Sequence, residues 1–258
     1  MIIIFLIIAV VALSALVYYY QERLIFFPEK LENDYKFDFR SNFVERNFET
    51  KSGVIINALH FKTTNPKGVI YYHHGNAGCL AGWGEVGEYF LQYGYDVLIY
   101  DFRSYGKSTG LKSEKGFYRD AQFIYDVLKT EYNEKDIVLY GRSLGTGIAA
   151  YLASKNNPGR LIMEAPFYNY LELKKVQFPM IPSFIMRYHF PTNEYITKVK
   201  CPILLIHGTD DDLIHQDNSQ MLKEIKPDAD ITLIPGGHHN DLMGFDVYPE
   251  IMEKVLIK

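Results

Sequence analysis

Cysteine is scarce in this chain. Cys79 and Cys201 are the only two among 258 residues, too few for a disulfide framework, and no C-x-x-C or Cys/His spacing offers structural zinc. Basic residues are not concentrated either: 27 Lys and Arg face 31 Asp and Glu, a net charge of −4. Without a clustered Lys/Arg footprint the chain is not read as a nucleic-acid binder. It also lacks internal repeats and low-complexity tracts, and 48% hydrophobic, 15% aromatic and 22% charged residues exclude a disordered chain. The chain is therefore expected to be held by an apolar core, and its length suits one large α/β domain or two small ones.

Charge is missing altogether from Ile2 to Tyr20, where Ser14 is the only strongly polar side chain before the tyrosines. As a helix these residues span about 28 Å, close to the hydrocarbon thickness of a bilayer. Tyr18, Tyr19 and Tyr20 follow where amphipathic rings favour the headgroup region. A cleaved signal peptide would need a basic n-region, which is absent, and the small-x-small site near Ala12–Ser14 lies inside the apolar run. Residues 1–22 are read as an uncleaved membrane anchor and 23–39 as a juxtamembrane linker. Arg23, Lys30, Lys36 and Arg40 after the span favour a single-pass protein with a cytoplasmic domain. Leu24-Ile25-Phe26-Phe27 before Pro28 suits either the lipid interface or the edge of the domain itself.

From residue 40 to 258 the pattern is that of one α/β domain. Phe43–Glu49 and Val54–Phe61 alternate in polarity around Lys51-Ser52-Gly53 and predict an antiparallel hairpin. Apolar runs at Val69–Tyr72, Val97–Tyr100, Ile137–Tyr140, Leu161–Met163, Ile203–Ile206 and Ile231–Ile234 read as strands buried on both faces. Helical stretches lie around Trp83–Tyr93, Glu114–Glu131, Ser143–Ser154, Ser219–Ile225 and Pro249–Leu256. This alternation predicts a mostly parallel central sheet with helices on both faces. One connection is long. Residues 167–200, with Phe178-Pro179-Met180-Ile181-Pro182 and Phe184-Ile185-Met186, are expected to form a short lid insertion.

Gly141-Arg142-Ser143-Leu144-Gly145 follows the strand Ile137–Tyr140 and opens a helix. In that context G-x-S-x-G is a nucleophile elbow: the glycines relieve crowding in a sharp turn, and the serine hydroxyl is exposed above the sheet. An ordinary Ser N-cap explains the serine but neither glycine. A serine nucleophile requires a base to accept its proton and an acid to orient the base. Downstream, the strand Ile203–Ile206 ends in His207-Gly208-Thr209-Asp210-Asp211-Asp212, and Ile231–Ile234 ends in Pro235-Gly236-Gly237-His238-His239. Both groups stand at carboxyl ends of strands, where open parallel sheets bind ligands, in the chain order Ser, acid, His. The residues alone leave the three aspartates and two histidines open. An oxyanion hole is expected from the loop His73-His74-Gly75-Asn76-Ala77-Gly78, with the backbone amides of Asn76 and Leu144 as donors. Adjacent histidines on a strand end point to opposite sides, which argues against a His73/His74 metal site. In Gly106-Lys107-Ser108 the glycine a phosphate loop requires would fall at Asp101, so no nucleotide site is read there.

HHGNAG, DFRSYGKSTG, GRSLGTG, HGTDDDLIH and GGHHND, in this order, resemble the α/β-hydrolase superfamily. The set is most similar to its membrane-anchored Bem46/ABHD13-like serine hydrolases, with ABHD17-type depalmitoylases as relatives. The resemblance spans nearly the whole chain. It implies Asp211 as the acid, four positions after the histidine of H-G-x-x-D, with Asp210 and Asp212 as fallbacks, and His239 before N-D as the base. Ser104 departs from the glycine of the family's D-x-R-G-x-G-x-S segment, which puts the local turn in doubt. The combined expectation is an α/β-hydrolase fold carrying a Ser143–Asp211–His239 triad that cleaves acyl esters or thioesters of a small or lipid-like substrate, with no metal or organic cofactor. A serine peptidase of the same fold and a non-catalytic binding protein are the alternatives.

Overall fold

The computed structural model describes residues 2–177 and 179–257; within the first helix, the side chains at 2, 3, 6, 7 and 9–11 lie outside the description. The chain opens with α1 (Ile2–Ile25), the two-residue β1 (Phe27–Pro28), then β2 (Phe43–Glu49) and β3 (Ile55–Phe61). Next come β4 (Val69–His73), the short β5 (Ala77–Gly78), α2 (Leu80–Leu91), β6 (Asp96–Tyr100), α3 (Glu114–Glu131) and β7 (Ile137–Arg142). The second half runs α4 (Leu144–Lys155), β8 (Arg160–Glu164), α5 (Tyr170–Gln177), α6 (Thr192–Ile196), β9 (Ile203–Gly208), α7 (Asp217–Ile225), β10 (Asp230–Ile234) and α8 (Val247–Leu256).

Eight strands form one sheet in the order β10-β9-β8-β7-β4-β6-β3-β2. From β10 to β6 every pairing is parallel, whereas β3 runs antiparallel to both β6 and β2. The expected hairpin is in place, with Phe43 opposite Phe61 and Glu49 opposite Ile55. The period of two along each strand builds two cores. Val69 and Tyr71 of β4 and Leu139 of β7 face the layer of α3 and α4. Ile70, Tyr72, Val138 and Tyr140 face the layer containing α2 and α8. β4 has β6 on one side and β7 on the other, so the chain reverses its direction of travel across the sheet there. Such a switch point opens a crevice at the strands' carboxyl ends.

Element edges differ from the sequence reading in instructive places. α2 begins at Leu80 rather than near Trp83, because the Leu80 amide is anchored on Asp101 Oδ1 at 3.1 Å. Two of its three glycines, poor helix formers, are packing devices: a Cβ on Gly84 or Gly87 would lie 2.1 Å from Phe39 or 2.4 Å from Phe61. Ser104, which stands where the family's segment has glycine, takes a positive φ of 66°, and its hydroxyl donates to Gly110 O at 2.7 Å.

Among the described residues no helix is both long and apolar enough to cross a membrane; the anchor expected over 1–22 falls partly on residue 1 and on the side chains outside the description. The end of α1 packs on the domain, with Ile25 and Phe26 buried in the core and Leu24 and Phe27 partly exposed. In the 167–200 connection, where Phe178 lies outside the described residues, α5 and α6 flank a 3-10 turn at Ser183–Ile185, and Tyr188, Phe190 and Ile196 are buried.

Candidate active site

Ser143 is the hinge between β7 and α4, at φ 51° and ψ −117°, a strained region for a residue with a side chain. The strain is held by neighbours: the Ser143 amide donates to Glu164 O at 2.9 Å, and its carbonyl accepts from the Thr146 amide at 2.9 Å and hydroxyl at 2.6 Å. Both flanking glycines are sterically required. A Cβ on Gly141 would stand 2.5 Å from Gly145 O, and one on Gly145 would stand 2.0 Å from the His73 carbonyl in β4. Gly145→Ala is therefore expected to force α4 off β4, lowering stability by about 3 kcal/mol in urea unfolding. Gly82→Ala, inside α2 where a Cβ meets nothing within 4 Å, serves as the control and is expected to stabilise slightly, by up to about 1 kcal/mol.

The loops after β9 and β10 converge on this hinge. They touch backbone to backbone, since a Cβ on Gly208 would lie 2.0 Å from Gly237 O. The Asp210 amide also donates to Gly237 O at 3.0 Å. That contact brings His239 to Ser143: Nε2 lies 3.0 Å from Oγ, and Nδ1 lies 2.7 Å from Asp211 Oδ2. Of the three aspartates only Asp211 is brought in. Its Oδ1 accepts from the amides of Leu213 (3.0 Å) and Ile214 (2.8 Å). Asp210 and Asp212 are exposed, and so is His238, whose amide is tied to Asp241 Oδ1 at 2.7 Å.

Burial pushes the Asp211 carboxyl up, but hydrogen bonds from His207 and His239, the charge of His239 and the Ile214 amide outweigh it and leave the group well below the ordinary carboxylate range. Asp211 is thus an anion wherever the protein is folded near neutral pH. His207, fully buried, braces it at 3.3 Å, with its own Nδ1 on Ser219 Oγ at 2.7 Å. Asn76 and Leu144 line the same cavity, and among the described residues neither backbone amide donates to a loop or cap carbonyl. The cavity measures about 470 Å³ and is walled largely by apolar groups, among them Leu144, Phe167, Tyr170, Leu173 and Ile214.

His73 and His74 do not face each other as a ligand pair: His73 Nδ1 meets Tyr100 OH at 3.0 Å, and His74 Nδ1 meets its neighbour Gly75 O at 2.6 Å. Among the described residues no group of three or more His, Cys, Asp or Glu is placed to hold a metal ion. Under the Gly75 loop, Asp101 is fully buried, and burial, opposed by the Leu80 amide and Lys30, raises its carboxyl to about 8. Between pH 4 and 8 the unfolded chain releases this proton while the folded chain keeps it, so Asp101 makes stability fall as pH rises through that window. Asp101→Asn cannot titrate. Its melting temperature relative to wild type is expected to climb from pH 4 to 8 and level off above; a difference independent of pH contradicts the assignment.

The sequence reading missed the buried ion pair beneath the elbow. Arg142 Nε lies 3.1 Å from Glu164 Oε1, and its Nη2 donates to His239 O (3.2 Å) and Asn240 Oδ1 (3.1 Å). Glu164 Oε2 accepts from the hydroxyls of Tyr248 (2.8 Å) and Tyr140. Its signal was present: an acid closing an otherwise apolar buried strand needs a partner.

A family model described as the alpha/beta hydrolase fold matches residues 68–166. The chain is 34% identical over 180 residues to the alpha/beta hydrolase domain-containing protein aho-3 of Caenorhabditis elegans, covering 67% of this chain and 52% of that protein. It is 33% identical to the lysophosphatidylserine lipase ABHD12 of Danio rerio, covering 60% and 45%. To the alpha/beta hydrolase domain-containing protein 17C of Xenopus tropicalis it is 31% identical, covering 72% and 59%. The chain thus spans about half the length of these relatives. Among solved structures, the Pyrococcus furiosus esterase Pf2001 superposes with a TM-score of 0.69 at 21% identity over 90% of this chain and 95% of that one. The thioesterase domain from the curacin biosynthetic pathway gives 0.62 at 15% identity, covering 84% and 100%. At those identities the structural likeness speaks for the fold.

Proposed function

Because the chain belongs to the α/β-hydrolase superfamily as an ABHD-like member, we propose that it is a serine hydrolase that cleaves acyl esters or thioesters through Ser143, His239 and Asp211. One observation carries this reading: the row of contacts from Ser143 Oγ through both nitrogens of His239 to Asp211, at 3.0 and 2.7 Å, opens onto a largely apolar cavity. Ser143 Oγ attacks the acyl carbonyl while His239 Nε2 takes its proton. The Asp211 anion accepts from Nδ1–H, fixes the tautomer and stabilises the imidazolium. The amides of Asn76 and Leu144 receive the tetrahedral oxyanion, where loss of one such donor costs about 2.7–4 kcal/mol of barrier. His239 then delivers the proton to the leaving oxygen or sulfur, and an acyl-Ser143 ester remains. Water attacks that ester with His239 as base, releasing the acid and restoring the serine.

The apolar lining supports an acyl substrate, as do relatives that include a lysophosphatidylserine lipase. The 167–200 segment, which supplies Phe167, Tyr170, Leu173 and Gln177 to the cavity, acts as its lid. The uncharged run Ile2–Tyr20 anchors the enzyme in a bilayer, with the positive charges that follow it placing the domain on the cytoplasmic side. A fluorophosphonate probe tests the chemistry: wild type is expected to label, and Ser143→Ala is expected not to. Hydrolysis of p-nitrophenyl esters over aminoacyl amides is the expected preference. Absence of labelling in folded wild type supports a non-catalytic protein, and a uniform preference for amides supports a peptidase.

A further inference from the structure

The exit of α1 meets the candidate site in two ways that the mechanism above leaves unused. First, Leu24, Ile25 and Phe27 form a wall of the cavity onto which Ser143 and His239 open. Second, the same segment holds the loop that carries Asn76. Phe27–Pro28 pairs in parallel with Ala77–Gly78, and the Glu29 amide donates to Gly78 O at 3.0 Å. The Asn76 side-chain amide donates to the Ile25 carbonyl, one of the carbonyls that a helix end leaves without a partner. Tyr105 closes the clamp from the opposite side, its hydroxyl donating to Asn76 O at 2.7 Å.

α1 is docked firmly enough to serve as such a wall. Gln21 is 1% exposed; its amide donates to Ile185 O at 3.1 Å and its Oε1 accepts from the Arg187 amide at 2.8 Å. Glu22 accepts from Tyr188 OH at 2.8 Å and pairs with Arg187 at 2.9 Å. Phe26 packs edge-on against Phe117 and Tyr188.

We infer that the last turn of α1 and the residues up to Glu29 are a working part of the active site, in which Leu24 and Phe27 set the length of acyl chain accepted and the Asn76 side chain is a positioning residue for the oxyanion loop. The inference rests on the serine-hydrolase reading and extends it, making the N-terminal helix a component of the enzyme as well as a tether. The physical reasons are two. An oxyanion donor works only when it is held at the place where charge develops, and a shift of an ångström forfeits much of its effect. An apolar wall sorts acyl chains by the methylenes it admits, each worth about tenfold or more in specificity. Leu24 and Phe27 are 45% and 56% exposed, so they can be changed without emptying the core.

The test uses full-length protein in vesicles, with circular dichroism and melting curves confirming the fold of each variant. Leu24→Trp is expected to lower the ratio of kcat/KM for p-nitrophenyl hexadecanoate to that for the butanoate ester about tenfold. Phe27→Ala is expected to shift the preference toward longer chains. Asn76→Ala is expected to lower kcat about tenfold with little change in KM, and Asn76→Asp, whose carboxylate faces the Ile25 carbonyl, to lower it further. A purely space-filling role predicts the opposite order, with the near-isosteric Asp the milder change. Binding of a fluorescent hexadecanoate analogue to Ser143→Ala protein, with and without Leu24→Trp, reads the wall without turnover; about tenfold weaker binding supports it. Unchanged chain-length profiles and unchanged analogue binding overturn the inference even where wild type labels and turns over. Failure of wild type to label overturns the hydrolase reading instead, and the inference falls with it.

Discussion

Ser143→Ala is expected to lower kcat on an acyl ester by about six orders of magnitude, and His239→Ala by a similar amount, because in the proposed mechanism nucleophile and base act as one unit. The double variant is expected to be no worse than either single one, since removing the base from an enzyme that has already lost its nucleophile takes nothing further away. Asp211→Asn is expected to cost less, about four orders of magnitude, through the wrong histidine tautomer. The His239 Nδ1–Asp211 contact of 2.7 Å becomes one to an amide that presents either an oxygen or an N–H. Residual turnover should survive from the Asn76 and Leu144 amides. Steady-state kinetics on highly purified variants checks all of these, and retention of even a hundredth of wild-type activity by Ser143→Ala removes the nucleophile from that position.

The largest loss of stability is expected at Glu164, away from the reacting atoms. Its carboxylate is fully buried beneath the elbow, shared by Arg142 at 3.1 Å and by the hydroxyls of Tyr248 and Tyr140. Glu164→Leu leaves the Arg142 cation desolvated without a counter-charge, which costs about 3–5 kcal/mol and lowers the melting temperature by about 10 °C. The same guanidinium holds the His239 carbonyl at 3.2 Å, so kcat should fall in the fraction that remains folded. Adding Arg142→Met is expected to restore much of the stability, because no unpaired charge is then buried. It should leave activity low, because the guanidinium that holds the His239 carbonyl is then gone. Urea unfolding and kcat measured on the same samples separate the two effects; recovery of both together means that Arg142 has no positioning role.

Much of this architecture was legible before any coordinates. Strand and helix positions follow from local periodicity, and α3 spans Glu114–Glu131, the range that the pattern predicts. The elbow was legible for a similar reason: a strand, a serine flanked by glycines and a helix are consecutive, so one short stretch of backbone holds all the information. α2 was less so in its bounds: the pattern placed it around Trp83–Tyr93, and its start at Leu80 depends on the distant Asp101 carboxylate. The choice of acid and base was not written in the residues themselves. Asp210, Asp211 and Asp212 are chemically alike, and only the family resemblance singled out Asp211. The backbone contact between Gly208 and Gly237 is what sets Asp211 facing His239 and turns its neighbours to solvent.

By itself, then, the sequence determined the fold class, the sharp turn at Ser143 and the two loops that close on it, because each is a property of residues adjacent in the chain. Tertiary structure decided which side chains in those loops meet, the pairing of Glu164 with Arg142, and the meeting of the α1 exit with Asn76, fifty-one positions apart. Such contacts depend on how strands register and how distant segments close on one another, and neither leaves a periodic trace in the order of amino acids.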